Sequence, residues 1–297
     1  MNAIGIDLGG TQIKAVVVSE SGEILDRQLR PTRDGLSTEE HWANSIQALA
    51  NELGRDLPVG ISAPGLASRD QRSIAYMPGR LHGLEHLDWT DLLARKSRVP
   101  VLNDAQASLL GEVWIGAASG IHDCFMLTLG TGVGGAAICD GHLLRGHLGR
   151  AGHLGHVCLD VNGPPDLVRT PGSLEDAIGN HNIVQRTGGR FETTHALLAA
   201  FREGDSQAAE IWLASVRSLA CAIASLINVL DPEVVIIGGG IGQAGADLFR
   251  PLQLELDDIE WRPGGAAVRL VPAVLGEWAG AIGAARTALQ QPSNQAM

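Results

Sequence analysis

Residues 3–19 have the sequence AIGIDLGGTQIKAVVVS, in which two apolar runs flank the turn Gly9-Gly10-Thr11. The pattern predicts a short buried strand over 3–7, a tight turn, and a second strand over 12–19. Residues 124–139, CFMLTLGTGVGGAAIC, repeat this order of apolar run, glycine turn with a threonine, and apolar run. The repetition indicates a weak internal duplication and hence two related lobes.

Strand and helix patterns alternate through the rest of the chain. We predict helices over 39–53, 104–118, 207–230 and 277–289, and strands over 58–62, 99–102 and 234–237. Residues 141–172, rich in Gly, Pro and His, are predicted to form loops around a site. Alternation of this kind is typical of an α/β architecture, in which ligands bind at the carboxyl ends of the strands.

Composition limits the class of protein. The 297 residues suit one large or two modest domains, and 45% of them are apolar, which indicates a globular chain. The net charge of -11 disfavours nucleic acid and acidic membrane surfaces as partners. No apolar run approaches the ~20 residues of a bilayer span, and no basic leader with a cleavage site is present. Four cysteines without a CxxC pair are expected to be reduced thiols, which favours a cytoplasmic protein.

Three glycine-rich turns follow apolar strands, after Leu8, Leu129 and Ile237. Glycine lets a backbone approach a ligand closely, and successive free N–H groups form an anion site. None of the turns matches GxGxxG opening a helix or GxxxxGK[ST], so a dinucleotide enzyme and a P-loop enzyme are both disfavoured. Three such turns together favour a phosphate-binding cleft.

These turns carry a resemblance to a known family. Residues 7–14, DLGGTQIK, resemble the first phosphate motif of the actin-like sugar kinases, 129–135, LGTGVGG, the second, and 236–240, IIGGG, the adenosine motif. Within that superfamily the chain resembles the ROK family (repressor, open reading frame, kinase) from Ile4 to about Ala285. ROK repressors carry an additional N-terminal DNA-binding segment, so we expect this chain to belong to the kinase branch.

The resemblance implies an α/β fold of the two-lobed, actin-like (ribonuclease H-like) sugar kinase type with an interlobe cleft. The expected lobes are residues 1–117 with the C-terminal helix 276–290, and residues 118–275. ATP and Mg²⁺ are the implied cofactors, and homodimers are common among similar proteins. The residues implied to bind the nucleotide are Asp7, Gly9, Gly10, Thr11, Lys14, Gly130, Thr131, Gly132, Gly239 and Gly240.

Two aspartates have both a structural and a functional interpretation. Asp104 follows Asn103 at a strand end, where both residue types favour a helix N-cap. The resemblance instead implies that Asp104 is the catalytic base and that Asn103 contacts the sugar, and an aspartate of ordinary pKa would be ionised for that role. Asp7 could form an Asx turn, but the resemblance places it near the phosphates and Mg²⁺, which it would hold through water.

The sugar-binding motif departs from the family pattern. ROK kinases carry E-x-G-H, whose Glu and His touch the sugar, whereas this chain has His153-Leu154-Gly155-His156. A glutamate only accepts hydrogen bonds, while a neutral imidazole both donates and accepts, so the replacement puts the identity of the sugar in doubt. His153, His156, Glu175 and Gly65 are, with Asn103, the implied sugar-binding residues.

The zinc loop of many ROK members, C-x-C-G-x-x-G-C-x-E, aligns with residues 166–175, where Asp166, Val168 and Ser173 replace the three cysteines. We therefore predict no structural zinc, a loop held by its prolines and packing, and a His156 that is left free for the sugar. A site built from His142, His147, His153 and His156 is the alternative metal hypothesis, disfavoured because no cysteine or carboxylate completes the set.

The interpretation is ATP-dependent phosphorylation of a sugar hydroxyl, with Asp104 as base. The resemblance implies the primary 6-hydroxyl of a hexose or N-acetylhexosamine. A cyclitol or modified sugar, a non-sugar substrate of an actin-like ATPase, and a donor other than ATP stay open. A non-catalytic sugar-binding regulator is the rival from another class, disfavoured by the intact Asp7, Asp104 and phosphate turns.

Overall fold

The computed structural model describes residues 1–33, 41–77, 79 and 81–291. The first elements along the chain are β1 (Asn2–Leu8), β2 (Gln12–Ser19), β3 (Ile24–Pro31), α1 (Trp42–Gly54), β4 (Val59–Ala63), β5 (Leu66–Ala67), β6 (Ile74–Tyr76), α2 (Trp89–Leu92), β7 (Val101–Asn103) and α3 (Asp104–Ile115). There follow β8 (Cys124–Leu129), β9 (Val133–Cys139), β10 (His142–Leu143), α4 (Leu174–Ile178), α5 (Ile183–Arg186), α6 (Thr194–Arg202), α7 (Ser206–Leu230), β11 (Val234–Gly238), α8 (Gly239–Gly242), α9 (Ala246–Ile259), β12 (Arg269–Pro272) and α10 (Ala279–Leu289).

The chain divides into two compact units. Unit 1 comprises residues 1–120, 145–151 and 274–297, and unit 2 comprises residues 121–144 and 152–273. The lobes expected from the sequence were residues 1–117 with 276–290, and residues 118–275, so residues 145–151 were expected in the second lobe.

Each unit is built on a five-stranded mixed sheet. The strand order is β3-β2-β1-β4-β7 in unit 1 and β10-β9-β8-β11-β12 in unit 2. In both sheets the central strand pairs antiparallel with the next strand of its hairpin and parallel with the strand on its other side. The repeated topology agrees with the duplication indicated by the sequence, and the α/β class is confirmed.

Small residues allow α10 to pack closely in unit 1. A Cβ at Gly283 would lie 1.8 Å from the carbonyl oxygen of Ala107 in α3, so a larger residue would force these helices apart. Ala281, Ile282 and Ala285 are buried against Val16 and Val18 of β2. Helix α10 thereby covers one face of the unit 1 sheet at β1 and β2.

Helix α7 forms much of the core of unit 2. Its side chains Trp212, Val216, Leu219 and Ile223 have no solvent exposure and pack with Phe125 of β8. Among the described residues it is the one helix long and apolar enough to cross a membrane by length and composition, contrary to the sequence expectation. Core helices meet the same criterion, and the buried face of α7 explains its hydropathy.

Several element boundaries differ from the sequence predictions. The predicted start of the first helix at residue 39 lies outside the described residues, which resume before α1 with His41 as the N-cap. Helix α3 ends at Ile115 rather than residue 118, and α10 begins at Ala279 after a 3₁₀ turn. The helices α6 and α9 were not predicted. Helix α7 ends at Leu230, because Asp231 adopts a left-handed conformation before Pro232.

Candidate active site

The turn between β1 and β2 is closed by backbone and side-chain bonds. Gly9 N–H donates to the carbonyl of Gln12 at 3.0 Å, while Thr32 donates its hydroxyl to the carbonyl of Gly9 at 2.7 Å and its N–H to that of Thr11 at 2.8 Å. Gly10 and Thr11 remain exposed. The turn is thus fixed while its tip stays accessible, and the supporting residue, Thr32, was not identified from the sequence.

Asp7 lies immediately before this turn. Ser62, directly opposite in the neighbouring strand β4, donates its hydroxyl to Asp7 Oδ1 at 2.6 Å. Burial raises the pKa of Asp7 to about 6, and the negative charge of Asp104 raises it further. The hydrogen bond from Ser62 and the positive charge of Lys14 lower that pKa, but they do not outweigh the burial. The site therefore holds a carboxylate that is costly to ionise and that would be stabilised by a cation.

Lys14 lies opposite Asp7 in the β1–β2 hairpin. Its Nζ lies 3.6 Å from Glu277 Oε2 and is largely shielded from solvent. The lysine predicted to bind nucleotide therefore has a carboxylate partner within unit 1, and its charge also acts on Asp7.

Asn103 and Asp104 have different structural roles at the start of α3, and the pattern of residue types did not show which of them is the N-cap. Asn103 is the N-cap of α3, with Oδ1 accepting from Ala105 N at 3.0 Å, and its Nδ2 donates to the carbonyl of Gly65 at 2.9 Å. Asp104 is the first residue of the helix and is exposed, although its Oδ1 also accepts from Ala105 N at 2.8 Å. Asn103 therefore supplies the cap, and one Asp104 oxygen is left for another partner.

The sequence-based assumption of an ordinary pKa for Asp104 is wrong. The protein atoms around its carboxyl raise the pKa of Asp104, against the hydrogen bonds from Ala105 and Asn103 that lower it. A raised pKa makes the carboxylate a better proton acceptor than a free aspartate.

A cavity of about 200 Å³ in unit 1 joins the two aspartates to the first glycine turn. Its lining residues are Asp7, Leu8, Gly9, Gly10, Pro64, Met77, Leu81 and Asp104. Four residues predicted to carry chemistry thus share one cavity. Asn103 and Gly65 do not line it but are bonded to each other beside it, and Gly65 holds a φ of +99° that favours glycine.

The second phosphate turn, in unit 2, is fixed by Glu175. Gly130 N–H donates to the carbonyl of Gly132 at 2.9 Å, and Glu175 Oε2 accepts from Val133 N at 2.8 Å. A Cβ at Gly132 would lie 2.2 Å from Glu175 Oε2, so only glycine permits this contact. Glu175, predicted to bind sugar, has one carboxylate oxygen engaged with the turn and the other without such a bond.

The His153–His156 motif packs against β9, the strand that begins at Val133. Residues Leu154–His156 form a 3₁₀ turn, in which a Cβ at Gly155 would lie 2.0 Å from the carbonyl oxygen of Val133. Gly155 therefore packs against β9 at Val133, the residue whose N–H donates to Glu175. Burial holds the pKa of His153 below its ordinary value, so the neutral ring predominates at pH 7.

The sequence predicts that His156, in the absence of zinc, is free for the sugar, and in the structure one of its two ring nitrogens has a partner. Its Nδ1 lies 2.8 Å from Oδ2 of Asp166, the residue at the first of the lost cysteine positions. Ser173, at the third position, caps α4, and Val168, at the second, is exposed. The loop is thus held by side-chain hydrogen bonds in addition to the predicted prolines, of which Pro165 and Pro171 pair through their backbones.

A second cavity, of about 240 Å³, lies wholly within unit 2. Gly130, Thr131 and Gly240, predicted from the phosphate and adenosine motifs, line it together with Asn180, Thr193, Thr194, His195, Leu198 and Ile241. Gly239 lies behind Gly240, against the backbone of Leu129. The sequence reasoning missed Asn180 and the 193–195 segment, for which the one local signal is the N-cap pattern of α6.

Metal-binding groups are sparse in the described part of the chain. Residues 1–33, 41–77, 79 and 81–291 contain no cluster of three or more His, Cys, Asp or Glu side chains able to hold a metal. Asp7 and Asp104 nevertheless offer carboxylate oxygens in one cavity. That donor set is suited to Mg²⁺ arriving with phosphates and retaining most of its waters.

The family assignment follows from comparison with known proteins. The ROK family model matches residues 3–291. The chain belongs to the ROK family. A glucokinase from Thermotoga maritima is 36% identical over 96% of each chain, and an N-acetylmannosamine kinase from Escherichia fergusonii is 32% identical over 82% of this chain and 84% of its own.

Solved ROK structures have the same fold. A ROK family glucokinase from Streptomyces griseus, crystallised in complex with glucose and AMPPNP, is 28% identical over 98% of this chain and all of its own, with a TM-score of 0.76. The actin-like sugar kinase fold expected from the glycine turns is thus confirmed for this ROK member.

Proposed function

We propose that this sugar kinase transfers the terminal phosphoryl group of ATP to a hydroxyl of a hexose or N-acetylhexosamine, with the primary 6-hydroxyl as acceptor. The observation that carries the proposal is the cavity shared by Asp7, Asp104 and the first glycine turn. A phosphate turn beside an available carboxylate is the arrangement that phosphoryl transfer to an alcohol requires.

Asp104 is proposed as the general base. As the sugar oxygen forms its bond to the γ-phosphorus, the hydroxyl proton passes to the Asp104 carboxylate and the bond to ADP breaks. The fixed start of α3, capped by Asn103, holds the carboxylate in place. Its raised pKa favours acceptance of the proton.

The residues proposed to contact the nucleotide lie in or beside the two phosphate turns and the adenosine motif. In unit 1, Asp7 and the turn Gly9–Thr11 would hold phosphates, with Lys14 beside them. In unit 2, the turn Gly130–Gly132 would do the same, and the 240 Å³ cavity with Gly240 would take the nucleoside. Asp7 would hold Mg²⁺ through water, and the ion would offset the negative charge of the transferred phosphate.

The sugar contacts are proposed for Asn103, Gly65, His153, His156 and Glu175. Asn103 already donates to the carbonyl of Gly65, beside Asp104, and Glu175 retains one carboxylate oxygen. The curated relatives are named for glucose and for N-acetylmannosamine, which supports a hexose or N-acetylhexosamine as the substrate. His153 is the residue expected to decide between them.

A screen of ATP consumption over hexoses, N-acetylhexosamines and cyclitols tests the proposal. We expect turnover with one hexose or N-acetylhexosamine and the appearance of its 6-phosphate, identified by NMR. Repeating the screen with other phosphoryl donors tests the choice of ATP. Sugar binding by calorimetry without turnover on any donor would instead show a sugar-binding regulator and overturn the proposal.

The cellular setting is proposed with the activity. Dependence on ATP and the free thiols of all four cysteines fit a cytoplasmic enzyme. A homodimer, common among similar proteins, stays a prediction that light scattering of the purified protein would check.

A further inference from the structure

Asp166 is a buried carboxylate inside the loop of residues 160–172. Its side chain has no solvent exposure. Oδ1 accepts from Val168 N at 2.9 Å and from Thr170 N at 2.8 Å, and Oδ2 faces His156 Nδ1 at 2.8 Å. Burial would raise the pKa of Asp166, but the bonds from His156, Thr170 and Ser173 outweigh it and lower that pKa overall. The group is therefore an ionised acceptor with its hydrogen-bonding directions occupied.

The loop backbone is folded around this carboxylate. Asp166 N–H donates to the carbonyl of Thr170 at 2.9 Å, and Arg169 N–H donates to that of Asp166 at 3.0 Å. Arg169 has a φ of +72°, a left-handed conformation that is uncommon for a residue with a Cβ. The side-chain bonds of Asp166 compensate for this strained turn, so the loop presents Oδ2 to His156 in one orientation.

A carboxylate opposite Nδ1 determines which ring nitrogen carries the proton. An ionised carboxylate only accepts hydrogen bonds, so Nδ1 of His156 must be the N–H. In the neutral ring, Nε2 then has a lone pair and accepts a hydrogen bond. In this tautomer His156 can bind a group that donates, such as a sugar hydroxyl.

We infer that Asp166 is a positioning residue that fixes the ring orientation and Nδ1–H tautomer of His156, so that Nε2 accepts from a sugar hydroxyl. The inference rests on the proposed function only for the identity of the group that Nε2 binds. Asp166 thus orients His156 through a hydrogen bond, at a position where zinc-bearing relatives have a metal ligand. At position 166 an aspartate that holds His156 by a hydrogen bond thus stands where those relatives have a cysteine that holds the metal.

Asp166→Asn is a near-isosteric test. The two backbone N–H groups of Val168 and Thr170 require the amide oxygen, so the amide nitrogen must face His156. Nδ1 can then only accept, and the proton moves to Nε2. Asp160→Asn is the matched control, because Asp160 lies in the same loop and caps Asn162 N at 2.9 Å without a histidine partner.

The proton position is read directly by ¹⁵N-edited NMR of the histidine rings, with His156→Gln to assign the signals. We expect Nδ1–H in the wild type and in Asp160→Asn, and Nε2–H in Asp166→Asn. An Nε2–H signal in the wild type, or an unchanged signal in folded Asp166→Asn, would overturn the inference. Because this readout needs no substrate, it decides the tautomer even if no sugar is phosphorylated.

Kinetics test what the tautomer does. In Asp166→Asn we expect the KM for the sugar to rise about tenfold and the KM for ATP to change less than twofold, the loss of about one hydrogen bond. Thermal unfolding, measured alongside, shows whether the variant is folded. A changed tautomer with an unchanged sugar KM would refute the role of Asp166 in presenting His156 to the sugar.

Discussion

Ser62 donates its hydroxyl to Asp7 Oδ1 at 2.6 Å, across the parallel pair β1–β4. Ser62 has no solvent exposure, and Asp7 is the acid whose pKa burial raises to about 6. One neutral hydroxyl and the more distant Lys14 are thus the favourable partners of a carboxylate that also faces the charge of Asp104. These two partners therefore offset only part of the cost of ionising Asp7 in its buried position.

Asp7→Asn should stabilise the ligand-free protein at neutral and alkaline pH. The folded state holds the Asp7 proton more tightly than the unfolded chain, with a pKa of about 6 against an ordinary 3.8, so the unfolding free energy falls as pH rises through that window. The amide removes this penalty and still accepts from Ser62. We expect a gain of about 1–3 kcal/mol above pH 7 and almost none below pH 4.

Urea unfolding of both proteins from pH 3.5 to 8 measures this difference. Asp26→Asn is a control, since Asp26 is an exposed aspartate of β3 in the same unit. Equal pH dependence of Asp7→Asn and wild type would show that Asp7 carries no ionisation penalty. The variant should also lose activity, which would mark a trade of stability for function at this position.

Asp104→Ala should remove phosphoryl transfer while leaving nucleotide binding intact. A positioned general base contributes roughly 10²- to 10⁴-fold, so we expect kcat to fall by that factor. Calorimetry with a non-hydrolysable ATP analogue should give a Kd within about threefold of wild type. Asp91→Ala is the control, since Asp91 is an exposed acidic residue in the first turn of α2 and lies outside the cavity. Near-normal turnover by Asp104→Ala would refute the assignment of Asp104 as the general base.

Parts of the site that consist of a few consecutive residues could be predicted from the sequence, whereas parts formed by residues distant in the chain could not. The glycine turns at 9–11 and 130–132 were located from the sequence, because each motif is contained within a few consecutive residues. Local propensity alone could not separate the roles of Asn103 and Asp104, because both residue types favour an N-cap. In the structure the cap is Asn103, because its Oδ1 accepts from Ala105 N at 3.0 Å and from Gln106 N at 3.4 Å.

Other parts of the site depend on contacts that no local pattern contains. Thr32 closes the first turn from 23 residues away, and Asn180 reaches the second turn and the start of α6 through the folding of the 141–182 region. Asp166 was interpreted as the loss of a zinc ligand. Its bond to His156 depends on the left-handed conformation of Arg169, which could not be predicted from the sequence because Arg rarely adopts it.

His153→Glu should shift the sugar preference towards glucose. The neutral imidazole of His153 can donate to an acceptor on the sugar, such as an acetamido carbonyl, whereas a glutamate can only accept from a hydroxyl. One exchanged hydrogen bond of about 1.4 kcal/mol changes the ratio of kcat/KM values by about tenfold. His142→Glu makes the same change at an exposed position of β10; an identical sugar profile for wild type and His153→Glu would show that His153 does not read the sugar.

Purified protein should contain no stoichiometric zinc, and a chelator should leave its Tm unchanged. Val168 offers no ligand atom, Ser173 Oγ is engaged with Asp176 N at 3.3 Å, and Asp166 with His156 and two backbone N–H groups. A zinc ion would have to break these bonds to gain ligands, whereas the hydrogen-bonded loop is complete without it. Elemental analysis by mass spectrometry, before and after dialysis against EDTA, measures the content. One zinc per chain, or a chelator-dependent fall in Tm, would mean that Asp166 and His156 hold a metal rather than each other.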